Sequence, residues 1–161
     1  MTNLVVDATG NELTYPIIGA AMAVHNQLGP GCKEEVYKRA LWVELNQRGI
    51  VTEGQFKVNV GPGGEVTGIF YLHLLAENTV VIEVKALSRR MTNDELAQVI
   101  NTLEAAEKPV GLLFNFGRRK LEYKRVFPPV TASEIQRIGR DDAGRGRRED
   151  SPSTNGERIN E

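Results

Sequence analysis

The chain has 161 residues, 40% hydrophobic and 25% charged, which suits one globular domain with room for a short tail. A formal net charge of −1 excludes a global electrostatic pull toward nucleic acid or acidic membranes, so any such binding must come from a local patch. The single cysteine, Cys32, excludes an internal disulfide framework and fits a reducing compartment; among Gly31, Lys33 and Glu34 it reads as a small incidental residue, not a nucleophile.

The start of the chain carries Asp7 and Glu12 and lacks the basic-then-apolar pattern of a signal peptide. The longest apolar run, residues 17–24, is far shorter than the roughly 18 residues that suggest a membrane span. The expected location is the cytoplasm, away from membranes.

A first helix is expected from Thr14, because Pro16 is tolerated in an opening turn. Ile17, Ala21, Val24 and Leu28 fall on one face of it, and Gly29-Pro30-Gly31 stops it. His25 within it reads as a surface or boundary residue. A second helix spans about residues 33–48, with Tyr37, Ala40, Leu41 and Leu45 as its apolar stripe and Gly49 as its stop. Glu34 and Glu35 lie in its first turn, where the helix dipole favours acids.

Residues 50–60 read as a strand, Gly61-Pro62-Gly63-Gly64 as a turn, and residues 65–76 as a second strand. Glu77-Asn78-Thr79 turns the chain into Val80-Val81-Ile82-Glu83-Val84-Lys85-Ala86, an apolar run of buried-strand length. Three strands joined by short turns make an antiparallel meander. Thr92-Asn93-Asp94-Glu95 is a capping box opening a third helix, with Leu96, Val99, Ile100 and Leu103 inward, that ends near Lys108-Pro109. Residues 110–116 form a buried strand, and after the turn at 117–120 residues 121–127 form another. A helix between the third and fourth strands makes that pair a candidate β-α-β crossover.

Past Pro128-Pro129 the composition changes. Residues 131–161 hold only Ile135, Ile138 and Ile159 as large aliphatics and interleave six arginines with seven acids. Apart from a short helix about residues 133–138, this tail is expected to be disordered and solvated. The domains are therefore read as 1–130 and 131–161.

The chemistry concentrates in the third strand. Side chains alternate along a strand, so Glu83 and Lys85 project together while Ile82 and Val84 take the other face. Two charges in a buried strand cost free energy unless they are paired or bind something charged, which points to a metal or phosphate site. A carboxylate pair holding a divalent cation beside a lysine suits phosphodiester hydrolysis. Magnesium wants oxygen ligands, so a second carboxylate is expected on the adjacent strand, and Gln98 can orient a water or phosphate. Arg89 and Arg90, with Arg118, Arg119 and Lys120, supply a cationic track for a nucleic-acid backbone, though each cluster alone also reads as a solvated turn. A Glu83–Lys85 structural ion pair is the blander alternative.

Four segments together carry a family resemblance: Gly31-Cys32-Lys33-Glu34-Glu35-Val36-Tyr37, preceded by Leu28-Gly29-Pro30; Ile82-Glu83-Val84-Lys85-Ala86; Ala97-Gln98-Val99-Ile100-Asn101; and Gly111-Leu112-Leu113-Phe114-Asn115-Phe116-Gly117. In this order they resemble the GxxExxY proteins, over about residues 13–127. Those proteins are similar to the PD-(D/E)xK nuclease superfamily. The resemblance implies an α/β nuclease-like core, a central mixed sheet flanked by helices, cleaving nucleic acid (DNA in the first instance) with Mg2+ or Mn2+. It implies Glu34 as a helix acid near the metal, Glu83 as a metal ligand, Lys85 as the catalytic lysine and Gln98 as the helix glutamine of the site.

One position departs from that pattern. Where the family places a metal-binding aspartate, in a segment resembling DLLVE, this chain reads His73-Leu74-Leu75-Ala76-Glu77. Imidazole suits zinc, manganese or iron better than magnesium and brings no negative charge. The site is then dead, works with a softer metal through His73, or recruits Glu34 or Glu77. A catalytically inactive module that binds nucleic acid or a protein partner, a second copy of the chain included, is the competing function. Register discriminates: pairing Ala76 with Val80 sets His73 opposite Glu83, whereas a two-residue turn at Glu77-Asn78 sets Leu72 there.

Overall fold

The structure, a computed structural model, describes residues 12–60, 66 and 68–129. Helices α1 (Thr14–Leu28) and α2 (Glu34–Gln47) are followed by strands β1 (Thr52–Val60), β2 (Gly68–Ala76) and β3 (Val80–Lys85). Helix α3 (Asn93–Ala106) then leads to β4 (Val110–Asn115) and β5 (Glu122–Val126). The turn at 61–64, the expected start of the second strand at Glu65 and the tail at 131–161 lie outside the described residues.

The strands form one five-stranded sheet in the order β1-β2-β3-β4-β5. β1, β2 and β3 are antiparallel neighbours, β3 and β4 are parallel, and β4 and β5 are antiparallel. This is the expected meander plus crossover. Parallel strands cannot be joined by a tight turn, so α3 carries the chain back along the sheet.

The two faces are covered by different helices. Ile17, Ala21 and Val24 of α1 and Tyr37, Leu41 and Leu45 of α2 pack with Leu74, Ile82, Val84, Leu112 and Phe114. On the other face Val99 and Leu103 of α3 pack with Leu72, Leu75, Val81 and Leu113. Because β3 and β4 are covered on both sides, they read as mostly apolar runs instead of alternating, β3 interrupted by Glu83 and Lys85. Gly111 lets α3 come close: a Cβ there would stand 2.9 Å from Val99 Cγ1.

Several local expectations are refined. The start of α1 is tied by the Glu12 carboxylate, which accepts from the Thr14 and Tyr15 amides at 3.1 and 3.0 Å and from the Thr14 hydroxyl. Leu28, expected on the buried face, is exposed. His25, expected at the surface or its boundary, is buried, with Nε2 2.8 Å from the Arg118 carbonyl and its ring tilted against Phe116. The expected capping box of α3 forms in full, Thr92 accepting from Asp94 and Glu95 from Thr92.

The turn between β2 and β3 combines both readings weighed for it. Glu77 and Asn78 take left-handed φ values of 50° and 53°, and the Thr79 amide donates to the Ala76 carbonyl at 2.9 Å, as in a two-residue hairpin turn. Thr79 is an added residue, however, so the ladder pairs Ala76 with Val80, Leu75 with Val81 and Leu74 with Ile82. That register directs His73 toward Glu83.

Candidate functional site

The site is a fork in the sheet. The β2–β3 ladder stops at Leu74 and Ile82, one position short of His73 and Glu83, while β2 stays paired with β1 as far as Gly68. β3 continues to Lys85 against β4. The Val84 amide therefore faces a gap where a strand partner would stand. His73 fills it: the Val84 N–H donates to Nδ1 at 3.1 Å. An orphaned backbone donor is costly when buried, and the imidazole removes that cost.

The same ring lies between two carboxylates. Glu83 Oε2 is 3.5 Å from Nδ1, and Glu34 Oε1, from the first turn of α2, is 3.6 Å from Nε2. Both distances exceed an ordinary hydrogen bond. With Nδ1 accepting from Val84, the neutral ring carries its proton on Nε2 and turns that proton toward Glu34. Glu83 is largely buried, with 14% of its side chain exposed, and burial pushes its pKa above the usual carboxylate value; the Lys85 charge opposes that shift.

Glu83 and Lys85 project from one face of β3, since Ile82 and Val84 are fully buried in the other. They do not form an ion pair among the described residues. Lys85 Nζ donates instead to Gln98 Oε1 on α3, at 3.3 Å. Glu34, His73, Glu83, Lys85 and Gln98 are thus drawn to the fork from four elements. Glu77 sits at the far end of β2, where its carboxylate accepts from the Val51 amide at 3.1 Å.

The cationic residues are placed unevenly. Arg89 is engaged with Glu95 of the capping box, Nη2 to Oε1 2.5 Å, and with the Arg90 carbonyl at 2.9 Å. The Glu95 carboxyl is held down to about 2, first by that guanidinium and then by Thr92. Arg118 is half-buried, whereas Arg90, Arg119 and Lys120 are exposed. Both segments lie at the sheet end where the parallel strands β3 and β4 finish, and the Phe116 amide donates to the Lys85 carbonyl there at 2.9 Å.

Three positions matter more than their side-chain types suggested. Tyr37 donates its hydroxyl to the Gly29 carbonyl at 2.5 Å and accepts from the Cys32 amide at 3.0 Å, while its ring stacks on Phe116 at 4.9 Å. It ties down the loop that presents Glu34, and Gly29 and Gly31 supply the left-handed turns of that loop. Asn115 is fully buried: its Oδ1 accepts from the amides of Leu87 and Gly117 at 2.8 and 3.1 Å, and its Nδ2 donates to the Arg89 carbonyl and to Glu122 at 3.1 and 3.2 Å. A polar amide ending an apolar run was the available signal for it. Gln55 takes φ 53° at the β1 position facing His73, and nothing in its local sequence announces that.

Among the described residues no group of three His, Cys, Asp or Glu side chains converges to hold a metal ion. Two carboxylates are available, but the imidazole stands between them. Its Nδ1 lone pair serves Val84, and its Nε2 carries the proton. The donor set, as arranged, does not fit magnesium, which asks for six oxygens in near-octahedral order.

A family model for the PD-(D/E)XK nuclease superfamily matches residues 11–126. The chain belongs to that superfamily. Its matched span contains the five described strands and the three described helices. A solved structure entitled "Crystal structure of SSO0001" is similar at 14% identity with a TM-score of 0.48, over 68% of this chain and 57% of that one. No curated protein matches the chain. None of the described helices is long and apolar enough to cross a membrane.

Proposed function

We propose that this domain binds nucleic acid, DNA in the first instance, on a nuclease-like scaffold whose site does not support magnesium-dependent cleavage. The observation that carries this reading is the His73 ring, closed onto the Val84 amide and standing between Glu34 and Glu83 where the superfamily's resemblance calls for an acid. Membership of the superfamily and the exposed Arg90, Arg119 and Lys120 at the end of β3 and β4 support nucleic acid as the partner. Lys85, oriented by Gln98, is the side chain placed to meet a phosphate at the fork. The segments Gly31 to Tyr37, Ile82 to Ala86, Ala97 to Asn101 and Gly111 to Gly117 support placement among the GxxExxY proteins.

The test compares the native chain with Lys85→Ala, His73→Asp and the His73→Asp/Lys85→Ala double variant on plasmid and short single-stranded DNA. Native protein is expected to bind DNA and to leave it intact in magnesium. His73→Asp shortens the side chain and clears space between the two carboxylates, so magnesium-dependent cleavage is expected to appear, and to vanish again in the double variant. Cleavage by native protein in magnesium, lost in Lys85→Ala, would overturn the proposal.

A second reading rests on Nε2, which faces Glu34 across 3.6 Å. If the imidazole turns to ligate a softer cation, manganese or zinc will support cleavage that His73→Ala removes. Absence of any DNA binding would favour a protein partner or a second copy of the chain.

A further inference from the structure

A cavity of about 370 Å³ opens beside the fork, lined by Lys38, Gln55, Tyr71, Leu72 and His73. It is separate from the Lys85–Gln98 contact, which lies toward α3, and neither the chemistry of Lys85 nor the cationic turns account for it. Its size falls at the low end of the roughly 300–1,000 Å³ typical of small-ligand sites. We propose that this cleft takes a single unpaired nucleobase, so that the domain prefers single-stranded or locally opened DNA. The inference rests on the nucleic-acid reading above and sharpens it to a substrate form.

Three features select that occupant. Tyr71 stands on β2, a sheet strand and not a loop, and is 62% exposed with no aromatic partner among the described residues. An open ring on a rigid strand is a stacking platform, and stacking needs the face of a base, which a duplex hides between its neighbours. Gln55 brings a side-chain amide with both donor and acceptor, suited to the polar edge of a base. It is held at φ 53° opposite His73, in a conformation that non-glycine residues avoid unless the surroundings impose it, and such positions cluster at ligand sites.

The cleft also supplies a cation for the phosphate. Glu34 and Glu83 stand 3.6 and 3.5 Å from the His73 ring and disfavour a phosphate beside it. Lys38, which also lines the cleft, is paired among the described residues with the exposed Glu35, at 2.7 Å. A phosphate can take the place of that carboxylate, which leaves the base over Tyr71 and against Gln55.

The experiment measures binding of a labelled single strand and of a blunt duplex of the same length, with a metal chelator present so that cleavage plays no part. The native chain is expected to hold the single strand about tenfold more tightly than the duplex. Tyr71→Ala is expected to lose about tenfold on the single strand with the duplex unchanged, and Tyr71→Phe, which keeps the ring, to retain native affinity. Gln55→Ala is expected to weaken the single strand alone. Equal affinity for both forms, or a Tyr71→Ala variant that binds the single strand as the native chain does, overturns the cleft proposal and leaves the nucleic-acid reading standing. If neither form binds, the nucleic-acid reading itself falls and the cleft assignment with it.

Discussion

Two polar junctions flank the end of β3, and they are finished to different degrees. On the β4 side, Asn115 makes four hydrogen bonds of 2.8 to 3.2 Å within a fully buried setting. On the β2 side, His73 makes one, to Val84, and meets two carboxylates at 3.5 and 3.6 Å. The first junction saturates its groups because an unpaired buried donor or acceptor costs about 1–3 kcal/mol. The second leaves both carboxylates beyond ordinary hydrogen-bond distance of the ring. The contrast separates polar groups that hold the scaffold from polar groups that remain open to a ligand.

Breaking the saturated junction should have the largest effect on stability. Asn115→Ala strands the amides of Leu87 and Gly117 and the Arg89 carbonyl, and frees the loop that leads from Lys85 to α3. A loss of about 3 kcal/mol is expected in urea unfolding. Gly117 belongs to the same junction: a Cβ there would overlap the Leu87 carbonyl oxygen and the Ala86 carbonyl carbon.

The open junction should respond with the opposite sign. Burial raises the Glu83 pKa in the folded state, so the native chain binds this proton more tightly than the unfolded chain does. The protonated carboxyl contributes stability that is complete below the unfolded value of 4.5 and is lost as pH rises through the raised folded value. Glu83→Gln is therefore expected to melt higher than native protein at pH 7, with the difference shrinking toward zero below pH 4.5. Glu95 behaves in reverse. Its folded pKa of about 2 makes its contribution complete above 4.5 and lost as pH falls toward 2. Thermal melts across this range distinguish the two carboxylates, because the Glu83→Gln variant keeps the acid-side loss and loses only the neutral-side penalty.

The smallest expected effect sharpens the comparison. Gln55→Gly relieves a left-handed backbone and should raise stability by about 0.5–1 kcal/mol in the same unfolding assay. If the strain is there for a ligand, the stabilised variant binds a single strand less well. A variant that gains no stability would mean that the backbone at this position is not strained.

Much of the architecture was legible in the chain because it depends on local pattern. Apolar periodicity marked α1 and α2, the capping box at Thr92 to Glu95 marked the start of α3, and the apolar runs at 80–84, broken only by Glu83, and 110–114 marked buried strands. The pairing of Glu83 with Lys85 on one face followed from the two-residue period of a strand. What escaped were contacts between residues distant in sequence. His25 looked like a surface residue because its partner, the Arg118 carbonyl, lies 93 positions away. Arg89 looked like a free cation because an arginine beside a turn gives no sign that Glu95 will hold it.

The residues themselves determined which groups could do chemistry at this site, since an acid and a base inside an apolar strand need a reason to be there. Whether those groups meet was decided only in three dimensions. The added residue Thr79 sets the register that brings His73 to Glu83, the fork leaves the Val84 amide without a strand partner, and the ring that satisfies it takes the space between the two carboxylates. Spacing along a chain states what can share a face, but a gap between strands, and what fills it, exists only once the sheet has formed.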